Sequence, residues 1–213
     1  MRRHPLLAIM IVTAGMLVAP VTRAEQQRPQ PASSARAVLY EEDTTDPPGK
    51  RYVGSAVWRI ATVTLKPGAA VDPAIRAEVE IPERGIAMTF ALRRNPDQGQ
   101  ASQATHRIEV SFTLSAGFTS GGIHNVPGLL MKYSEQTRGA PLAALARKLD
   151  ATSFQVDLSA NEDDRQRNLR LLKERSWFDI PITFTNGRRA ILAFEKGAAG
   201  EEAFDAVFTA WGQ

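Results

Sequence analysis

Three stretches of this chain alternate apolar and polar side chains, and that period of two restricts the fold more than any other feature. Ile75, Ala77, Val79 and Ile81 alternate with Arg76, Glu78 and Glu80. After the turn Pro82-Glu83-Arg84-Gly85, the pattern resumes at Ile86, Met88, Phe90 and Leu92, and again at Ile108, Val110, Phe112 and Leu114. Successive strand residues point to opposite faces, so the pattern predicts half-buried β-strands. Further strands are expected at Ala37–Glu42, Arg51–Leu65, Leu129–Tyr133 and Phe154–Leu158, separated by Pro- and Gly-rich turns such as Pro47-Pro48-Gly49 and Lys66-Pro67-Gly68. Pro141–Leu149 has helical spacing at Leu142, Leu145, Ala146 and Leu149, but its place between strands favours a strand. Asn95–Ala104 is a polar loop, and residues 120–128 form a glycine-rich connection.

Two helices and a hairpin close the chain. Ser159 or Asn161 caps the first helix, with Glu162, Asp163 and Asp164 in its first turn and bases following, which suits the helix dipole. Asp163 and Arg167 are spaced to pair, and Leu169 and Leu172 face the core. In Glu201–Trp211, the residues Phe204, Val207, Phe208 and Trp211 form an apolar stripe, and Gly212 ends the helix. Between the helices, Asp179–Thr185 and Arg188–Glu195 flank Asn186-Gly187, the pair that a type I′ turn prefers. Pro181 cannot donate to a ladder, which marks its strand as an edge or a bulge. The expected fold is mainly β (α+β): an antiparallel β-sandwich-like domain with two helices near the C-terminus. There is no internal repeat.

The start of the chain speaks to location. Arg2, Arg3 and His4 precede the uncharged run Leu6–Val18, and small residues at Thr22 and Ala24 bracket Arg23 ahead of a cut after Ala24. This is the layout of a secretory signal peptide. Residues 25–35, rich in Gln, Pro and Ser, read as a disordered linker, and 36–213 as one β-rich domain. The protein is expected in the periplasm or secreted, with no membrane span after cleavage. Retention of Pro5–Thr22 as an inner-membrane anchor is the alternative. Cleavage removes Arg2, Arg3 and Arg23 and no acid, leaving 23 bases against 23 acids, so the isoelectric point of about 9.4 reflects the leader and gives no support to nucleic-acid binding.

The mature sequence is poor in recognisable chemistry. It has no cysteine, which excludes thiol nucleophiles and thiolate metal sites. It has no HExxH, GxSxG, SxxK, P-loop or GxGxxG, so no catalytic residue, metal or cofactor is assigned. Glu41-Glu42-Asp43 and Glu162-Asp163-Asp164 lack the alternate spacing of a calcium loop. His106 stands beside a strand start and reads as exposed. His124 and Asn125 lie in the glycine-rich connection, where imidazole and backbone could meet a ligand or simply form a turn. Arg167, Arg170 and Lys173 make a stripe that would suit phosphate, lipopolysaccharide or an acidic partner, or a solvated face. Further basic clusters are Arg93-Arg94, Arg147-Lys148 and Arg188-Arg189. Trp58, Trp177 and Trp211 sit in apolar contexts that favour the core.

The segment Asn168–Trp211 resembles the C-terminal part of invasion-associated locus B-type proteins, exported proteins of alphaproteobacteria. The shared features are a helix ending in Leu-Leu-Lys, a hairpin, the Lys196-Gly197 step and a closing helix with Ala203 and Phe204. The resemblance covers about a fifth of the chain, which lacks the cysteine pair associated with that family. It implies a non-catalytic envelope protein with a β-sandwich-like domain and carries over no site residue. The expected function is therefore an exported, non-enzymatic binding module whose partner is an envelope protein or cell-surface component, in an oligomeric state the sequence leaves open. A periplasmic enzyme built around His124 and a small-molecule carrier are the alternatives.

Overall fold

A computed structural model of the chain describes residues 34–43, 45–65, 68, 70–95 and 104–213. The leader, most of the linker, and residues 96–103 of the polar loop lie outside the described residues. Ala35, assigned above to the linker, already pairs with Ala56 and opens the first strand.

The fold is mainly β, as the alternation predicts. Twelve strands form one antiparallel curled sheet: β1 (Ala35–Asp43), β2 (Asp46–Thr64), β3 (Val71–Ile81), β4 (Ile86–Arg94), β5 (His106–Leu114), β6 (Ile123–Asn125), β7 (Leu130–Lys132), β8 (Ala140–Pro141), β9 (Ala144–Lys148), β10 (Ser153–Leu158), β11 (Trp177–Phe184) and β12 (Arg189–Glu195). Their spatial order is β8-β7-β11-β12-β1-β2-β3-β4-β5-β10-β9, with β6 also on β11. The expectation of a sandwich holds only approximately, because one sheet bends round to supply the enclosing walls.

The bend is visible in connectivity. β8 and β9 stand at opposite ends of the order, yet only Leu142 and Ala143 separate them in the chain. Two residues reach across at most about 10 Å, so the two edges meet. The segment Ala140–Lys148 runs extended, pairing first with β7 and then with β10. The strand expectation for Pro141–Leu149 holds, and of its helically spaced leucines only Leu142 is buried, while Leu145 and Leu149 are exposed. Asn168 of helix α1 (Glu162–Glu174) fastens the corner. Its side-chain amide accepts from Ala143 N and donates to Ala143 O, both at 2.8 Å, as a neighbouring strand would.

Inward rows from facing strands meet in an aromatic core. Phe178 and Phe194 stack at 5.2 Å, Trp58 meets Phe90 and Phe204 edge-on at 5.6 Å, and all five rings are buried. Burial of each phenylalanine contributes about 2 kcal/mol. Trp58 also satisfies its indole N–H on Glu195 O at 2.8 Å. Helix α2 (Gly197–Ala210) lies across β1–β3 through Phe204, Val207 and Phe208. It starts four residues earlier than its apolar stripe suggests and ends, as expected, at a left-handed Gly212. Trp177 and Trp211 are buried as anticipated.

Local details differ from the sequence reading. Asn161 caps α1 by accepting from the Asp163 and Asp164 amides. Arg165, not Arg167, makes the intrahelical ion pair, with Glu162 at 2.7 Å, because the i, i+3 spacing brings its fork onto that carboxylate. Leu171 and Leu172 are buried, with Leu169 packed beside them. The β11–β12 turn is not type I′. Asn186 keeps negative φ and only Gly187 is left-handed (φ 84°), with Gly187 N bonded to Phe184 O at 3.0 Å. This is a three-residue loop ending in a glycine bulge, which needs positive φ at one position instead of two. Pro181 sits inside the sheet, opposite Ile191, at the gap where β7 has ended and β6 has not begun. The strand is a local edge at the one residue that lacks an N–H.

Candidate functional site

The antiparallel register gathers four connections at one end of the sheet. These are the β1–β2 tip, the 3-10 turn Pro82–Arg84, the β5–β6 connection and the β11–β12 turn. Two cavities lie there, and both touch Glu41 and Lys50.

Glu41 follows Ala37 and Leu39 on the inward row of β1, so its carboxylate is buried where the row runs out of apolar partners. Arg84 answers it with a fork, Nε to Oε2 at 2.6 Å and Nη2 to Oε1 at 3.1 Å. The same Nη2 donates to Ser120 Oγ at 2.6 Å, and the guanidinium lies 4.3 Å from the Phe118 ring centroid. Two of the three guanidinium nitrogens and one face of Arg84 are thereby engaged. Gly85 closes its turn at φ 67°, where a Cβ would stand 2.1 Å from Ser115 Oγ. Arg188 Nη1 approaches Glu41 Oε1 at 3.7 Å, short of a hydrogen bond.

The larger cavity, about 550 Å³, is a groove on the outer face of β1, β12 and β11. Tyr40, Ile191 and Pro181 make its floor, in register across the three strands. Pro48, Lys50 and Pro127 form its sides. The charges on the rim are already paired: Arg189 forks onto Glu42, and Lys50 meets Asp43 at 3.0 Å. Arg189 holds the Glu42 carboxyl below its ordinary pKa, and Thr45, with Lys50, holds Asp43 well below. The loop after β7 holds Tyr40 by its hydroxyl. Its Glu135 accepts from Tyr40 Oη at 2.5 Å, Arg36 Nε at 2.7 Å and Arg51 Nη2 at 3.0 Å, which lowers its pKa to about 2, with the Tyr40 bond the largest cause. Tyr40 is thus anchored at its hydroxyl while its ring stays in the groove. Below this loop Lys132 Nζ lies 2.7 Å from Asp179 Oδ1, and burial raises the Asp179 pKa against that pull.

The smaller cavity, about 410 Å³, is polar and lies on the other side of Glu41. Lys50, Tyr52, Glu83, Arg84, Ser115, Thr119 and Arg188 contribute its polar side chains.

The residues singled out in the sequence lie elsewhere. His124 and Asn125 are exposed on β6, and the His124 ring makes no hydrogen bond or ion pair among the described residues. Lys148 holds the strand from its backbone, donating to Ile123 O at 2.7 Å and His124 O at 3.2 Å. Arg167, Arg170 and Lys173 are exposed on α1, and none of them shares a hydrogen bond or ion pair with His124 or Asn125. Of the remaining basic clusters, Arg93 pairs with Glu109, Arg94 with Asp72 and Arg189 with Glu42, and Arg147 lies near Asp157. His106 is a correction. It is 1% exposed, not solvated, because it belongs to the inward row that continues through Ile108 and Val110. Among the described residues, no three His, Asp or Glu side chains group closely enough to hold a metal, and no helix is long and apolar enough to cross a membrane.

Sequence reading missed the contributions of Tyr40, Arg84, Pro181 and Ile191. Strand parity was the available signal, since Tyr40 and Ile191 fall on outward rows where a large apolar group has no core to fill.

No protein-family model matches the chain, and neither the curated proteins nor the solved structures include a significant match.

Proposed function

We propose that this chain is an exported, non-enzymatic binding module of a Gram-negative envelope, and that a protein partner in the envelope docks in the outer groove. Export rests on the layout of residues 1–24. Binding rests on one observation: an open groove of about 550 Å³ with Tyr40, Pro181 and Ile191 on its floor and with its rim charges internally paired. A site of this size with a mostly apolar floor and few polar groups fits ligand recognition. The paired rim leaves apolar contact as the main free interaction, and Ile191 is 41% exposed on a strand otherwise well covered.

The alternatives draw less support. The His124 ring makes no hydrogen bond or ion pair among the described residues, and it lines neither cavity at the tip end. A carrier needs open space inside the sheet, where Trp58, Phe90, Phe178, Phe194 and Phe204 pack together.

The test is crosslinking capture from an envelope extract with wild type, I191D and R167E/R170E. Loss of a specific partner in I191D alone supports the groove. Loss in R167E/R170E with capture intact in I191D moves the interface to α1 and refutes it. Intact mass from the periplasm tests export, since cleavage leaves a chain beginning at Glu25.

A further inference from the structure

The polar cleft beside Glu41 is a distinct feature, and its donors are unevenly used. Three bases line it: Lys50, Arg84 and Arg188. Arg84 spends Nε and Nη2 on Glu41 and Ser120, and Lys50 is paired with Asp43. Arg188 differs. Its side chain is 40% exposed, and its one ion pair among the described residues is with the Glu41 oxygen at 3.7 Å, which Arg84 already occupies. The Arg188 guanidinium makes no hydrogen bond among the described residues, although it carries five N–H donors in a planar fork. The hydroxyls of Tyr52, Ser115 and Thr119 line the same cleft and make no hydrogen bond among the described residues. Among the lining residues only Glu41 and Glu83 are acidic, and Glu41 is turned into the Arg84 fork.

We infer that this cleft binds an oxyanion, a phosphate, sulfate or carboxylate group, on Arg188 with Lys50 at its flank and the Tyr52, Ser115 and Thr119 hydroxyls as further donors. An arginine fork is the side chain suited to bidentate recognition of such groups. Arg84 is a positioning residue: by neutralising Glu41 it keeps a carboxylate from claiming Arg188, and its stack on Phe118 holds the β5–β6 connection that carries Thr119. The inference deepens the binding reading by naming a ligand class, but uses a different cavity from the outer groove.

The first probe is inorganic phosphate, with sulfate in parallel and chloride at matched ionic strength. A phosphate concentration about a hundredfold above its Kd raises Tm by about 5–10 °C, since only the folded state offers the site. R188Q abolishes the shift while leaving the unliganded Tm near wild type, because that guanidinium holds no hydrogen bond. Amide perturbations on titration centre on Gly85, Ser115 and Gly117. An equal rise with chloride, a shift retained in R188Q, no shift at all, or perturbations confined to α1 each overturn the proposal. Flotation with vesicles containing phosphatidylglycerol identifies the source. Flotation lost in R188Q assigns the anion to a lipid headgroup, whereas phosphate binding without flotation assigns it to a free solute. Flotation lost only in R167E/R170E counts against the cleft. I191D separates the two sites: it keeps the phosphate shift whether or not partner capture survives.

Discussion

His106 links burial to acid sensitivity. It packs against Trp211 and Phe208, with ring centroids 5.1 and 6.2 Å away, and Nδ1 lies 3.0 Å from Thr105 Oγ1. Nε2 has no well-aligned hydrogen-bond partner. Burial is the largest cause of a pKa lowered from 6.5 to about 4; Gln213 opposes the shift, and the nearby Arg94 and Arg165 guanidinium groups add to it. Below pH 6.5 the unfolded chain takes up a proton here that the folded chain refuses until the pH nears 4. The unfolded state therefore binds more protons across that window, and stability falls as the pH falls. Above 6.5 both states are neutral and nothing is lost; below about 4 both are protonated and the loss levels off. The gap corresponds to about 3 kcal/mol, or a fall in Tm of about 6–12 °C for a chain of this size. Urea unfolding at closely spaced pH values measures it, with a constant m-value required for comparison. H106F keeps an aromatic ring in the slot and removes this titration, so its curve is flatter than wild type between about pH 7 and 5.5, above the range in which Glu135 and the other carboxyls of lowered pKa add their own loss. A wild-type curve flat through this window, or an H106F curve equally steep, refutes the account.

R84M leaves Glu41 buried with only Arg188 nearby and costs about 3 kcal/mol, the lower end for breaking a buried pair; a double-mutant cycle with E41Q returns a coupling above about 1 kcal/mol, and additivity would show that the fork is not the source. G54A is expected to cost at least about 2 kcal/mol, because a Cβ there would stand 1.8 Å from the Glu80 backbone oxygen of the paired strand; an unchanged urea midpoint would mean that β2 and β3 can separate freely.

The sequence carried parity well and partnership poorly. Alternation identified the inward rows that the sheet then sets side by side, Val79 opposite Met88 and Phe90 opposite Val110. It could not place β9 beside β10 while β8 stays on β7, because that closure depends on an amide of Asn168 25 residues away. The missed polar groups nonetheless obey the same parity. Glu41 extends the inward row Ala37-Leu39, His106 precedes Ile108-Val110, and Lys196 extends Leu192-Phe194. His106 was read as exposed and neither Glu41 nor Lys196 was assigned to the core, yet each is nearly or fully buried. Each lies where an inward row reaches the end of its strand, and there the fold provides a local answer: an Arg84 fork for Glu41, an aromatic slot for neutral His106, and for Lys196 the Leu172 carbonyl at 2.7 Å with Glu201 at 3.3 Å. Burial lowers the Lys196 pKa, and its contact with the last turn of α1 joins the two helices across the β11–β12 hairpin. A polar residue at the end of an inward row is therefore the signal to seek. In this chain it locates the link between the two helices at Lys196, the acid-sensitive contact at His106, and the wall between the two cavities at Glu41.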